Sequence, residues 1–103
     1  MIYEIKRTSQ FKKDFKKAQK QGKNIDRLIN VIELLSKGEK LPQEYSDHAL
    51  TNYHSNFREC HIEPNFLLVY EIRKQYLILK LIRLGTHSEI FGNKSLANID
   101  KES

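Results

Sequence analysis

Apolar and polar positions alternate most cleanly near the middle of the chain. Phe57, Glu59 and His61 fall on one side of a period-two pattern, and Arg58, Cys60 and Ile62 on the other, which predicts a strand over 57–62. Phe66–Tyr70 is an unbroken apolar run rich in β-formers and predicts a buried central strand, reached through a turn at Glu63-Pro64-Asn65. A third strand is predicted over Tyr76–Leu84, after a turn at Arg73-Lys74-Gln75. There Leu77, Leu79, Leu81 and Arg83 alternate with Tyr76, Ile78, Lys80, Ile82 and Leu84. Three strands joined by short turns make an antiparallel meander.

Upstream the period becomes helical. Phe11, Phe15 and Ala18 form one stripe, with Thr8 or Ser9 as the cap before it and Gly22 as the stop. Ile25, Leu28, Ile29, Ile32 and Leu35 form a second stripe, capped by Asn24 and ended by Gly38. Ile2–Arg7 reads as a short strand. Residues 41–56 read as a surface connection that carries Asp47-His48, with Asn52 and Asn56 suited to left-handed turns. Gly85–Phe91 closes the pattern as about one helical turn. The expectation is a single α+β domain over 1–92, ordered β-α-α-β-β-β, with a two-helix hairpin on a twisted antiparallel sheet. A polar tail over 93–103 is either disordered or lightly docked.

Length and composition narrow the class. A chain of 103 residues has room for one core. Its longest apolar run is far too short to span a membrane, and no secretory segment opens it. The single cysteine, Cys60, cannot form an internal disulfide, which suits a reducing cytoplasm.

Charge is uneven. Residues 1–40 carry eleven Lys/Arg against five Asp/Glu, and 41–103 carry seven against eight. All four histidines, His48, His54, His61 and His87, lie in the second part. Lys12, Lys13, Lys16, Lys17, Lys20 and Lys23 spread over one side of the first helix, away from its apolar stripe. Such a face is either simply solvated or a docking surface for RNA phosphates, and no acidic partner is apparent on it.

Four histidines raise the question of a metal. There is no Cys-x-x-Cys pair and no helical His-x-x-x-His pair, so neither metal nor cofactor is expected. Cys60 is opposite in parity to His61, which argues against a Cys–His nucleophile. RNA strand scission through the 2′-hydroxyl fits the residues better. It needs a base, an acid and a cation for the phosphorane charge, and two imidazoles with a guanidinium suffice. His48, His61, His87 and Arg83 are the candidates, and an aromatic such as Phe91 could stack on a base. Spacing alone does not bring them together, nor does it say which imidazole is acid and which base.

Four blocks extend this reading: Asp47-His48-x-Leu50; Phe57-Arg58-Glu59-Cys60-His61-Ile62-Glu63-Pro64; Leu67-Leu68-Val69-Tyr70; and Arg83-x-Gly85-Thr86-His87-Ser88-Glu89-Ile90-Phe91. In order and spacing they resemble YafQ-type toxins of the RelE/ParE toxin–antitoxin superfamily, over essentially residues 1–92. The resemblance implies a RelE-like, microbial RNase-like fold and ribosome-dependent cleavage of mRNA. It implies catalytic roles at His48, His61 and His87, and a substrate contact at Phe91. Arg83 and Glu59 become phosphate and orienting contacts. A cognate antitoxin, of ribbon-helix-helix type and DinJ- or RelB-like, is the implied partner, with DNA reached only through it. Asn65 stands where the family has an aspartate, so any carboxylate partner for an imidazole such as His61 is lost there. Phe66 replaces an aromatic that is often Trp, while Asn52 and His54 replace a Gly and a Trp. Two other readings compete: a ParE-like toxin that inhibits gyrase without cleaving RNA, and a non-catalytic RNA-binding module.

Overall fold

The computed structural model describes residues 2–51 and 56–92. Asn52 and His54, and the tail from 93, lie outside them. A first strand, β1 (Glu4–Arg7), runs into Thr8, which is extended at φ −71, ψ 160. The Thr8 hydroxyl oxygen accepts the Phe11 N–H at 2.9 Å, starting helix α1 (Ser9–Lys20). It also donates to the Ile82 carbonyl at 2.8 Å, so one side chain both caps the helix and ties it to the sheet. Such a cap is worth about 1 kcal/mol. Asn24 caps α2 (Ile25–Ser36) by accepting the Arg27 N–H at 3.1 Å. Gly22 and Gly38 follow the two helices at φ +71 and +75, the left-handed conformation that ends a helix and favours glycine.

A one-turn 3-10 helix, Gln43–Tyr45, leads into β2 (His48–Ala49). Then come β3 (Arg58–Glu63), β4 (Phe66–Arg73), a second 3-10 turn over Lys74–Tyr76, β5 (Ile78–Gly85) and a short helix α3 (His87–Phe91). The sheet order is β1-β5-β4-β3-β2. The α+β class and the meander are as expected, with two corrections. The sheet is mixed, because β1 lies parallel to β5. The chain between β1 and β5, which contains both helices and β2–β4, is the long connection that a parallel neighbour requires. His48 is not on a loop but in an additional edge strand, paired with Glu59.

The sheet buries both faces. Towards α1 and α2 it presents Cys60, Ile62, Leu68, Tyr70, Leu81 and Leu84, packed with Phe11, Leu28, Val31 and Leu35. The opposite face carries a smaller cluster of Phe57, Leu67, Val69, Ile82 and Ile90, closed at one end by α3. Parity on β3 is as predicted: Cys60 and Ile62 face the helices, Phe57 the small cluster. Parity on β5 is not, because the register steps from Tyr70↔Leu81 to Val69↔Arg83 and leaves Ile82 as the extra residue of a bulge.

Candidate active site

The second face carries the chemistry. Glu59 is opposite His48 in register, and His61 is opposite Leu67, which is in turn opposite Gly85. The Glu59 side chain is only 7% exposed and stands between two imidazoles: Oε1 is 3.5 Å from His48 Nε2 and 3.4 Å from His61 Nε2. The two rings are 6.3 Å apart between centroids. His48 Nδ1 lies 2.7 Å from the Ser46 carbonyl oxygen, which only accepts, so this nitrogen carries the proton. A ring held at Nδ1 by a carbonyl turns Nε2 towards Glu59. Both imidazoles keep an exposed edge, His48 more than His61.

Two strands away, roughly 10 Å across the sheet, β5 ends at Gly85 and α3 begins. Thr86 caps α3 by accepting the Glu89 N–H, while Glu89 Oε1 accepts the Thr86 N–H at 2.8 Å, a capping box. Glu89 also forms an ion pair with Lys17 of α1. The Lys17 contact and the Thr86 N–H hold its carboxyl at about 2, well below the ordinary carboxylate range. This frame presents His87, exposed, with its ring 4.7 Å from that of Phe91. Phe91 is half-buried against the small cluster. Asn65, at the β3–β4 turn, accepts the His87 backbone N–H at 3.2 Å. Its amide therefore acts on α3 and not on His61, the imidazole to which the sequence pointed.

Arg83 is the clearest departure. It is 5% exposed. Its Nε and Nη2 donate to Asp14 of α1 at 2.7 and 3.2 Å, and Asp14 also accepts the Leu84 N–H at 3.0 Å. Among the described residues, Nη1 is buried without a hydrogen-bond partner. The Asp14 carboxylate on α1 holds the guanidinium in this place. Together with Lys13, Lys17, Gly85 and Glu89, this pair lines a cavity of about 290 Å³ that none of the three histidines reaches. Asp14 was missed from the sequence, where it reads as one acid among lysines.

The lysine face is also less uniform than its spacing suggested. Lys17 has an acidic partner in Glu89, and Lys23 lies 5.9 Å above the Phe66 ring. Lys12 and Lys16 border an apolar groove of about 610 Å³ formed with Ile5, Phe11, Phe15 and Ile32. Lys13 and Lys20 are exposed.

Behind β2, on the side of the helices, Asp47 is bonded to Tyr70 and Arg58. Burial, then the bond to Asp47, push the Tyr70 hydroxyl far up, and the same carboxylate raises Arg58. Burial, then the charges of Asp47 and Glu59, push the Cys60 thiol far up. Cys60 is thus a small core residue and not a thiolate nucleophile.

Comparisons with known proteins agree in direction. The family described as "Bacterial toxin of type II toxin-antitoxin system, YafQ" matches residues 3–92. The mRNA interferase toxin YafQ of Escherichia coli (strain B / BL21-DE3) is 36% identical over 90 residues, covering 86% of this chain and 96% of its own. A metal-bound toxin from Helicobacter pylori superposes with a TM-score of 0.83 at 42% identity, over 88% of this chain and all of that one. The toxin in the E. coli DinJ–YafQ toxin–antitoxin complex gives 0.81 at 33% identity, over 89% of this chain and all of that one. Among the described residues, no group of three or more His, Cys, Asp or Glu is arranged to hold a metal ion.

Proposed function

The chain belongs to the YafQ family of bacterial toxins of type II toxin–antitoxin systems, and on that premise we propose that it is a ribosome-dependent mRNA interferase. The observation that carries the proposal is the Glu59 carboxylate set between His48 and His61, with His87 two strands away at the start of α3. In this reading one imidazole takes the proton from a 2′-hydroxyl. The 2′-oxygen attacks the adjacent phosphorus, the P–O5′ bond breaks, and a second imidazole returns a proton to the leaving 5′-oxygen. Glu59 orients the two rings and stabilises whichever is charged. His87 and Phe91 face the substrate together, the ring of Phe91 stacking on a base. Arg83 is not the cation for the phosphorane, because it is buried against Asp14 in a cavity that none of the three histidines reaches; the protonated imidazole beside Glu59 meets that charge instead. No metal is needed for any of these roles.

The relatives' names support further assignments. DinJ assembles with YafQ in E. coli, and we assign this chain a DinJ-like, ribbon-helix-helix antitoxin, through which it reaches DNA. Lys12 and Lys16 beside the apolar groove suit an acidic, amphipathic segment of such a partner. Lys13 and Lys20 remain for ribosomal RNA. Among the described residues no helix is long and apolar enough to cross a membrane, and the ribosomal substrate places the reaction in the cytoplasm.

The test is the product. Cleavage of translated mRNA should leave a 2′,3′-cyclic or 3′-phosphate and a 5′-hydroxyl, and His61→Gln should abolish it. A 5′-phosphate with a 3′-hydroxyl would mean attack by water and sink the mechanism. Growth arrest with intact mRNA and inhibited gyrase would replace the function itself.

A further inference from the structure

β2 carries His48 yet has little to hold it. It is two residues long, lies at the sheet edge, and both of its residues are exposed. Burial therefore contributes almost nothing there. Its ladder consists of His48 opposite Glu59 and Ala49 opposite Arg58, continued by the Leu50 N–H bond to the Phe57 carbonyl at 2.9 Å. The strong fastening is the residue before it. Asp47 Oδ1 accepts the Tyr70 hydroxyl at 2.5 Å and Arg58 Nε at 3.3 Å, and Oδ2 accepts Arg58 Nη2 at 3.2 Å. Tyr70 belongs to β4 and is buried; Arg58 belongs to β3. One carboxylate thus ties the head of β2 to both inner strands. Bonds that involve a charge are stronger than the neutral bonds of the ladder. Strand alternation then turns the next side chain, His48, to the opposite face beside Glu59. Ser46, left-handed at φ 49, holds the ring from the other side through its carbonyl.

We propose that Asp47 is a positioning residue of the cleavage site: its bonds to Tyr70 and Arg58 set the place of His48 against Glu59 and His61. This rests on the reading of the Glu59 pair of imidazoles as the cleavage centre. Asp47 acts through His48, so its removal should lower the rate of the chemical step and leave substrate binding alone.

The test uses the full chain with Asp47→Ala, Asp47→Asn and Tyr70→Phe. Single-turnover cleavage on programmed ribosomes should fall by about 10- to 100-fold in Asp47→Ala, with half-saturation unchanged. Asp47→Asn keeps an acceptor for Tyr70 and should recover much of that loss. In a His48→Gln background, Asp47→Ala should change the rate less than about twofold, since the two act as one unit. An equal fold-loss in both backgrounds would overturn the proposal and make Asp47 a general stabiliser. Ring-nitrogen NMR gives an answer independent of activity. In the parent chain, Glu59→Gln should move the signals of both His48 and His61; with Asp47→Ala, only His61 should still respond. A His48 signal that continues to respond overturns the placement. If the parent cleaves no RNA, the cleavage reading fails, while the NMR comparison still decides whether Asp47 places His48. If Asp47→Ala does not fold, Tyr70→Phe, which removes the same bond from its other end, carries both comparisons with the same expected outcomes.

Discussion

Gly85→Ala is a demanding test of how α3 is built. Gly85 has φ +155, and a Cβ added there would lie 2.9 Å from Glu89 Oε1. That oxygen is already committed to the Thr86 N–H, and the other carboxylate oxygen to Lys17. Alanine meets two costs. Holding a side chain in this sparsely populated conformation costs about 1–3 kcal/mol. Displacing Glu89 forfeits the capping box, about 1 kcal/mol, and an ion pair worth less than that because Lys17 is exposed. A loss of about 2–4 kcal/mol should lower Tm by roughly 10–25 °C in a domain of this size. Urea unfolding of Gly85→Ala, Glu89→Ala and the double variant separates the costs. In the Glu89→Ala background, Gly85→Ala should retain only its backbone cost. Equal losses in both backgrounds would mean that contact with Glu89 is not what keeps the glycine. The same carboxyl carries a pH dependence. Its folded-state pKa lies at about 2, below the ordinary value. The stability it contributes is therefore complete above about pH 5 and lost as pH falls towards 2. Allowing for the exposure of Lys17, the amount is about 1–2 kcal/mol. Parallel stability curves for the parent and Glu89→Gln between pH 5 and 2 would refute it.

Three further outcomes are expected. His87→Gln should cut single-turnover cleavage at least about 100-fold while changing unfolding free energy by less than about 0.5 kcal/mol, since His87 is exposed; a folded, fully active variant would remove His87 from the reaction. Replacing Lys13 and Lys20 by Gln should flatten the salt dependence of ribosome binding by about one unit for each RNA phosphate that no longer meets a lysine. Lys17→Gln should in addition lower Tm, because it frees Glu89. Asn65→Asp should make the bond to the His87 N–H charge-assisted, stabilise the chain by about 0.5–1 kcal/mol, and shift the pH–rate optimum upward by favouring the charged imidazole; an unchanged profile would show that Asn65 is not coupled to His87.

What could be read from the sequence follows the range of the interactions. Period-two alternation depends on neighbours along the chain, and it placed Glu59 and His61 together on the face of Phe57 because β3 is regular over that stretch. Caps are equally local, so Thr8 and Asn24 were visible. The same rule misled on β5. A bulge at Ile82 shifts the phase by one residue, and no residue near it announces a bulge. The acidic partner of the lysine stripe was hidden for a related reason: a helical wheel shows neighbours on α1, whereas the partner of Lys17 is Glu89, brought in by the fold.

β2 illustrates the limit most directly. Two residues carry no periodicity, so no pattern could mark His48-Ala49 as a strand. Its position comes instead from a carboxylate at its head, a hydroxyl on β4 and a guanidinium on β3. Of these, Tyr70 is 23 residues from Asp47 and Arg58 is 11. Residue types that do chemistry were legible one by one; the distances that let them act together were not. Those distances rest on acids that look incidental in the sequence: Asp14 holds Arg83, Glu89 holds α3, and Asp47 holds β2. Each of these three candidate elements is therefore fixed by a carboxylate outside the reacting set. Loss of function on mutating such an acid is not by itself a sign of proton transfer. The pH profile and the double-variant comparison distinguish the two, and Asp47 with His48 is the pair on which that distinction is sharpest.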